Sequence, residues 1–241
     1  MNPIGKMTMR KIKLSRRGVL GGLTGLAVVS AVPLVATNAF ADSATKKHKR
    51  DVPKPDIFSC DDWGARPANG TPVKVNNGTN KIIVHHTAFP NTTDHSKDYA
   101  FQNSRDIQDL HMDQNGWMDT GQHFTNSQGG FITEGRHGSL DALLDGGYQI
   151  EGAHCVGQND QAIGIENDGT FLDSDQPSQE QWNSLINFCA FICQQYKLAS
   201  SEIYGHMDFN STQCPGNIHD RLPELRDAVQ KVLDGSRHHH G

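Results

Sequence analysis

Beyond residue 41 the chain has no apolar run approaching the roughly 20 residues a membrane-spanning helix needs, and no internal repeat or domain-sized linker. Positive charge is also short there. Of the 22 Lys and Arg in 241 residues, six fall in the first 41, leaving 16 against 27 Asp and Glu, a formal charge of −11. That balance excludes nucleic acid as a partner, because phosphate contacts need concentrated positive charge. The first 41 residues contain no acid and no cysteine, and the second absence excludes a lipoprotein anchor.

Those residues do contain Lys6, Arg10, Lys11, Lys13, Arg16 and Arg17, followed by an apolar, glycine-containing run from Gly18 to about Val35. Ser15-Arg16-Arg17-Gly18-Val19-Leu20 has the form of a twin-arginine export signal, which sends proteins out already folded. Ala39-Phe40-Ala41 supplies the small residues a signal peptidase reads. Residues 1–41 are therefore expected to be a removed signal, and the protein to be secreted, monomeric and without stable membrane association. The remaining 200 residues suffice for one domain with a core. The expected division is a flexible, lysine- and proline-rich segment over 42–58, a folded domain over 59–234, and a flexible, tag-like tail over 235–241.

Lys81 to His86 reads as a central strand, and Gln161 to Glu166 as a second buried one. Gln122 to Thr125 and Gly130 to Thr133 read as short strands joined by the turn-forming Asn126-Ser127-Gln128-Gly129. A helix entered through Asp94 carries Tyr99, Ile107 and Leu110 and stops at Asn115-Gly116. Ser178 with Gln181 has the pattern of a capping box, after which Trp182, Leu185, Ile186, Cys189, Ile192, Cys193 and Tyr196 trace one stripe. Leu222, Leu225, Val229 and Val232 mark a last helix. Strands interleaved with helices predict one α/β domain built on a central mixed, mostly buried β-sheet flanked by helices.

The chemistry-bearing segment is Gly205 to Gly216, where seven residues separate His206 from Cys214, with the pair His85-His86 far upstream at the end of an apolar run. Three N and S donors, with water completing the shell, is how a catalytic zinc is held. The other cysteines, Cys60, Cys155, Cys189 and Cys193, are expected to form two disulfides in an oxidising compartment, with all three pairings open.

Val84-His85-His86-Thr87-Ala88, Gly116 through Phe124, Glu134-Gly135-Arg136, Gly152-Ala153-His154, Ala162 through Glu166 and Gly205 through Gly216 occur in an order that resembles the zinc-dependent N-acetylmuramoyl-L-alanine amidases. That family also includes the peptidoglycan recognition proteins and phage T7 lysozyme. The resemblance covers roughly Asp61 to Leu225. It implies a Zn2+ held by His85, His206 and Cys214, with peptidoglycan as partner. It further implies hydrolysis of the amide between muramic acid and L-alanine, with Glu166 as base and Thr212 assisting the oxyanion. His86, Thr87, Trp117, Gln122, His154 and Asn159 are the implied substrate-contacting residues. Gln122 stands where many recognition-protein amidases have a tyrosine, and amide nitrogen lacks phenolic acidity. The alternative from another class is a peptidoglycan-binding protein with little or no turnover.

Overall fold

A computed structural model describes residues 51–238; the expected signal over 1–41, and residues 239–241, lie outside the described residues. The elements run β1 (Ile57–Phe58), α1 (Cys60–Trp63), β2 (Lys74–Asn76), β3 (Lys81–His86), α2 (Lys97–Asp109), β4 (Phe124–Asn126) and β5 (Ile132–Glu134). They continue with α3 (Ser139–Asp145), β6 (Tyr148–Ile150), β7 (Ala162–Asn167), α4 (Gln179–Tyr196), β8 (Ile203–Gly205) and α5 (Leu222–His238).

Six strands form one mixed sheet in the order β1-β5-β4-β7-β3-β8, while β2 and β6 make a separate antiparallel ribbon. In the main sheet only the hairpin β4–β5 is antiparallel. The sequence explains its centre. Ile82, Ile83 and Val84 of β3, and Ile163 and Ile165 of β7, are fully buried or nearly so, the continuous apolar run expected of parallel strands covered on both faces. Phe188, Cys189 and Ile192 of α4, with Leu225 and Val229 of α5, join the strands' Ile82, Val84, Ile163 and Ile165 in one core cluster.

Two helix ends refine the sequence reading. The Ser178 hydroxyl accepts from the Gln181 N–H at 3.0 Å, so the cap is real. The Gln181 amide, however, turns inward and donates to the carbonyls of Asn126 and Asp168, so the reciprocal half of the box is not made. After α2 the chain widens into a π-helical turn, Leu110–Gln114, that Asn115 closes.

Three expectations are corrected. The five cysteines are all free and buried: Cys189 and Cys193 face the core from α4, the Cys60 thiol donates to the Gly135 carbonyl, and the Cys155 thiol to Asn210. Each is satisfied where it stands, as a small apolar group or a weak donor. The part of the 42–58 segment that is described is docked, since Val52 is buried, its N–H donates to Gln194, and β1 pairs with β5. The helix α5 continues through four residues of the expected tail, to His238.

Candidate metal centre

His85 and Glu166 are register partners on the parallel neighbours β3 and β7, so their side chains emerge on the same face at the carboxyl ends of the strands. Ligand sites of open α/β sheets form at such ends. β8, the other neighbour of β3, stops at Gly205 and delivers His206 in the next residue. The loop then bends back until Cys214 lies under β3, where its sulfur receives the His86 backbone N–H at 3.2 Å.

The ligand atoms of His85, His206 and Cys214 lie within 4.8 Å of one another, and they are the one such His, Cys or acid cluster among the described residues. His85 Nδ1 is 3.7 Å from the sulfur. Bonds of about 2.0 Å to nitrogen and 2.3 Å to sulfur would place tetrahedral neighbours about 3.5 Å apart, so the donor set fits an ion of zinc's size.

Protonation is arranged for ligation. Gly164 N–H donates to His123 Nδ1 at 2.9 Å, so His123 Nε2 carries the proton and donates to the Ile150 carbonyl. His154 likewise donates from Nε2 to the Ala162 carbonyl at 3.3 Å, which leaves its Nδ1 to accept from His85 Nε2 at 2.9 Å. His85 Nδ1 is then the bare nitrogen facing Cys214. Burial, and secondarily the neighbouring imidazoles, hold His85 and His154 well below the usual histidine range, so both are neutral, as a ligand must be. Burial pushes the Cys214 thiol up to about 12 against the opposing His86 N–H, and a bound cation would reverse that preference.

Glu166 is half-buried and its carboxylate takes no hydrogen bond from the described residues. Burial alone raises it to about 8. An acid without a partner at the rim of a donor cluster is what a proton carrier requires. The Thr212 hydroxyl accepts from the Cys214 N–H at 3.2 Å, and its own proton is uncommitted.

The cleft, about 270 Å³, is lined by His85, His86, Glu166, His206, Thr212 and Cys214, together with Ala88, Trp117, Ala153 and His154. The expected substrate contacts divide. His86 and Trp117 line the cleft, and Trp117 leans on His111 with ring centroids 4.7 Å apart. His154 is spent on His85 and Ala162. Asn159 accepts the N–H groups of His154 and Cys155, holding their loop. Thr87 accepts from Phe89 and Gly169 and braces a turn. Gln122 is buried, donating to Thr125 at 2.9 Å, and does not line the cleft. The sequence reading gave no part to His123 or Asn210, which are legible only once their neighbours are folded beside them.

Fold and site together define an α/β protein with a candidate His-His-Cys metal centre and hydrolytic potential. The chain belongs to the N-acetylmuramoyl-L-alanine amidase family, whose model matches residues 75–217. It is 31% identical over 167 residues to peptidoglycan-recognition protein SC1a of Drosophila melanogaster, covering 66% of this chain and 80% of that one. It is 29% identical over 164 residues to peptidoglycan-recognition protein LB of the same fly, covering 66% of this chain and 64% of the relative. The solved structure of the N-acetylmuramoyl-L-alanine amidase LysC from Clostridium intestinale URNW superposes with a TM-score of 0.57 at 25% identity, over 73% of this chain and 99% of that one.

Proposed function

We propose that this protein is a secreted, zinc-dependent amidase that hydrolyses the bond between N-acetylmuramic acid and L-alanine in peptidoglycan. The observation that carries the reading is the partnerless carboxylate of Glu166, in register with the donor His85 on the neighbouring strand. An unpaired half-buried acid beside a donor triad supports turnover, because a proton carrier needs a carboxylate that no other group holds. His85, His206 and Cys214 would hold the zinc, which when bound would supply Lewis acidity to the site. Glu166 accepts the proton of the attacking water and returns it to the departing L-alanine nitrogen. The Thr212 hydroxyl donates a hydrogen bond to the carbonyl oxygen as negative charge builds there. Trp117 and Ala153 give the glycopeptide apolar wall to lie against.

The test is digestion of purified cell wall. The protein is expected to release new L-alanine amino termini without new muramic reducing ends. Glu166→Gln should lower the rate about 10²- to 10⁴-fold while zinc stays bound, whereas Cys214→Ala should lose zinc and activity together. Zinc bound with no amino termini released would leave the protein a peptidoglycan binder. An unchanged rate in Glu166→Gln would remove the glutamate from the mechanism.

A further inference from the structure

His85 has its tautomer fixed by His154; His206 has a different supporter. It sits at the start of a 3-10 turn, His206–Asp208, and is only half-buried. The Asn210 backbone N–H closes that turn on the His206 carbonyl at 3.1 Å, which brings the amide side chain beside the ring. Asn210 Oδ1 lies 3.1 Å from His206 Nε2 and 3.2 Å from the Cys155 sulfur. Its Nδ2 donates to the carbonyls of Phe209 at 3.0 Å and Val156 at 3.4 Å. That orientation is the consistent one, since a reversed amide would set oxygen against two carbonyls and nitrogen against two donors. An amide oxygen only accepts, so His206 Nε2 must carry the proton, which leaves Nδ1 as the bare nitrogen with which His206 can join the cluster of His85 and Cys214.

We propose that Asn210 is the positioning residue for His206, holding it in the Nδ1-presenting form and tying it to the loop that already supports His85. The tie is physical. Residues 153–159 carry His154, which receives His85, and also Cys155 and Val156, which hold Asn210; Asn159 fixes the backbone of both His154 and Cys155. One short wall of the cleft is thus the outer support of both imidazole donors, and outer partners of this kind tune metal affinity by about 10- to 100-fold.

The inference rests on reading His206 as a metal ligand, and two measurements separate the claims. Competition with a chromophoric chelator gives the zinc affinity of the protein and its variants. Asn210→Leu, which keeps the volume and removes the acceptor, is expected to bind zinc about 10- to 100-fold more weakly. Asn210→Asp keeps an oxygen facing the ring but sets its second oxygen against the Phe209 and Val156 carbonyls, so it is expected to recover only part of that loss. A merely structural asparagine would lower the melting temperature in both variants and leave the affinity of the folded protein alone, and that result would overturn the proposal. Should Asn210→Leu not fold, Asn210→Ser, too short to reach the ring, carries the same expectation. The second measurement needs no metal: nitrogen-15 NMR of the zinc-free protein should show His206 as the Nε2–H tautomer, and a mixture in Asn210→Leu. Failure of the parent to bind zinc would sink the proposed function but not this tautomer assignment; identical tautomers in parent and variant would sink the assignment.

Discussion

Asp168 is fully buried, and neither carboxylate oxygen completes a hydrogen bond. The Gln128 amide and the Asn103 side chain come near enough to oppose ionisation's cost, yet burial prevails and raises the group to about 6. The native state therefore holds a proton that the unfolded chain, with an ordinary aspartate, has released above about pH 4. Stability from this group is full below about pH 4 and is lost as pH rises to about 6, a loss on the order of 3 kcal/mol. Asp168→Asn should flatten that slope and be the more stable protein at pH 7, as read from urea unfolding at pH 4, 5, 6 and 7. Parallel pH profiles would mean the carboxylate is satisfied in the native state. Asp119 is the contrast, equally buried but receiving His137 through both its backbone N–H and its ring, with the Thr120 N–H as well. Those bonds outweigh the burial that opposes them and keep it below the usual carboxylate range.

β7 owes its usefulness to a side chain it lacks. A Cβ on Gly164 would meet the His154 ring at 2.6 Å, and one on Gly152 would also meet it at 2.6 Å. The imidazole behind His85 thus occupies space that two glycines leave free. Gly164→Ala should cost about 1 to 3 kcal/mol by overpacking, measured by denaturant unfolding, and should also weaken metal binding by displacing His154; a variant with unchanged zinc affinity would show that the ring can shift harmlessly. β3, β7 and α4 were legible in the sequence because long apolar runs and a helical stripe admit few other readings, and the hairpin β4–β5 because its turn residues are distinctive. β1, β2, β6 and β8 were not, since two- or three-residue strands leave no period to detect. The donors His206 and Cys214 announced themselves by spacing. Gln122 and Asn159 were the least legible of the expected site residues, because a polar side chain in a loop reads alike whether it faces the cleft or its own backbone. The thiols were misjudged because an expected route out of the cell favours crosslinks, whereas each sulfur here has packing or an acceptor of its own.

The candidate centre joins parts of the chain that are far apart in sequence: the end of β3 and the loop after β8. An ion bound there acts as a clasp between them, present only in the folded state. Zinc at 100 times its dissociation constant should stabilise the fold by about 2.7 kcal/mol, a rise of roughly 5 to 10 °C in melting temperature for a domain of this size. A chelator should reverse the rise, and His85→Ala should show none; an equal rise in that variant would place the ion elsewhere. Apart from such a clasp, no covalent link between distant segments exists among the described residues, since all five thiols are free. Burial raises the Cys60, Cys155, Cys189 and Cys193 thiols, which leaves them sluggish toward oxidants and electrophiles. Dithiothreitol should therefore leave the melting curve of the metal-free protein where it was. With no crosslink to close among its described residues, such a fold can reach its final shape in a reducing compartment.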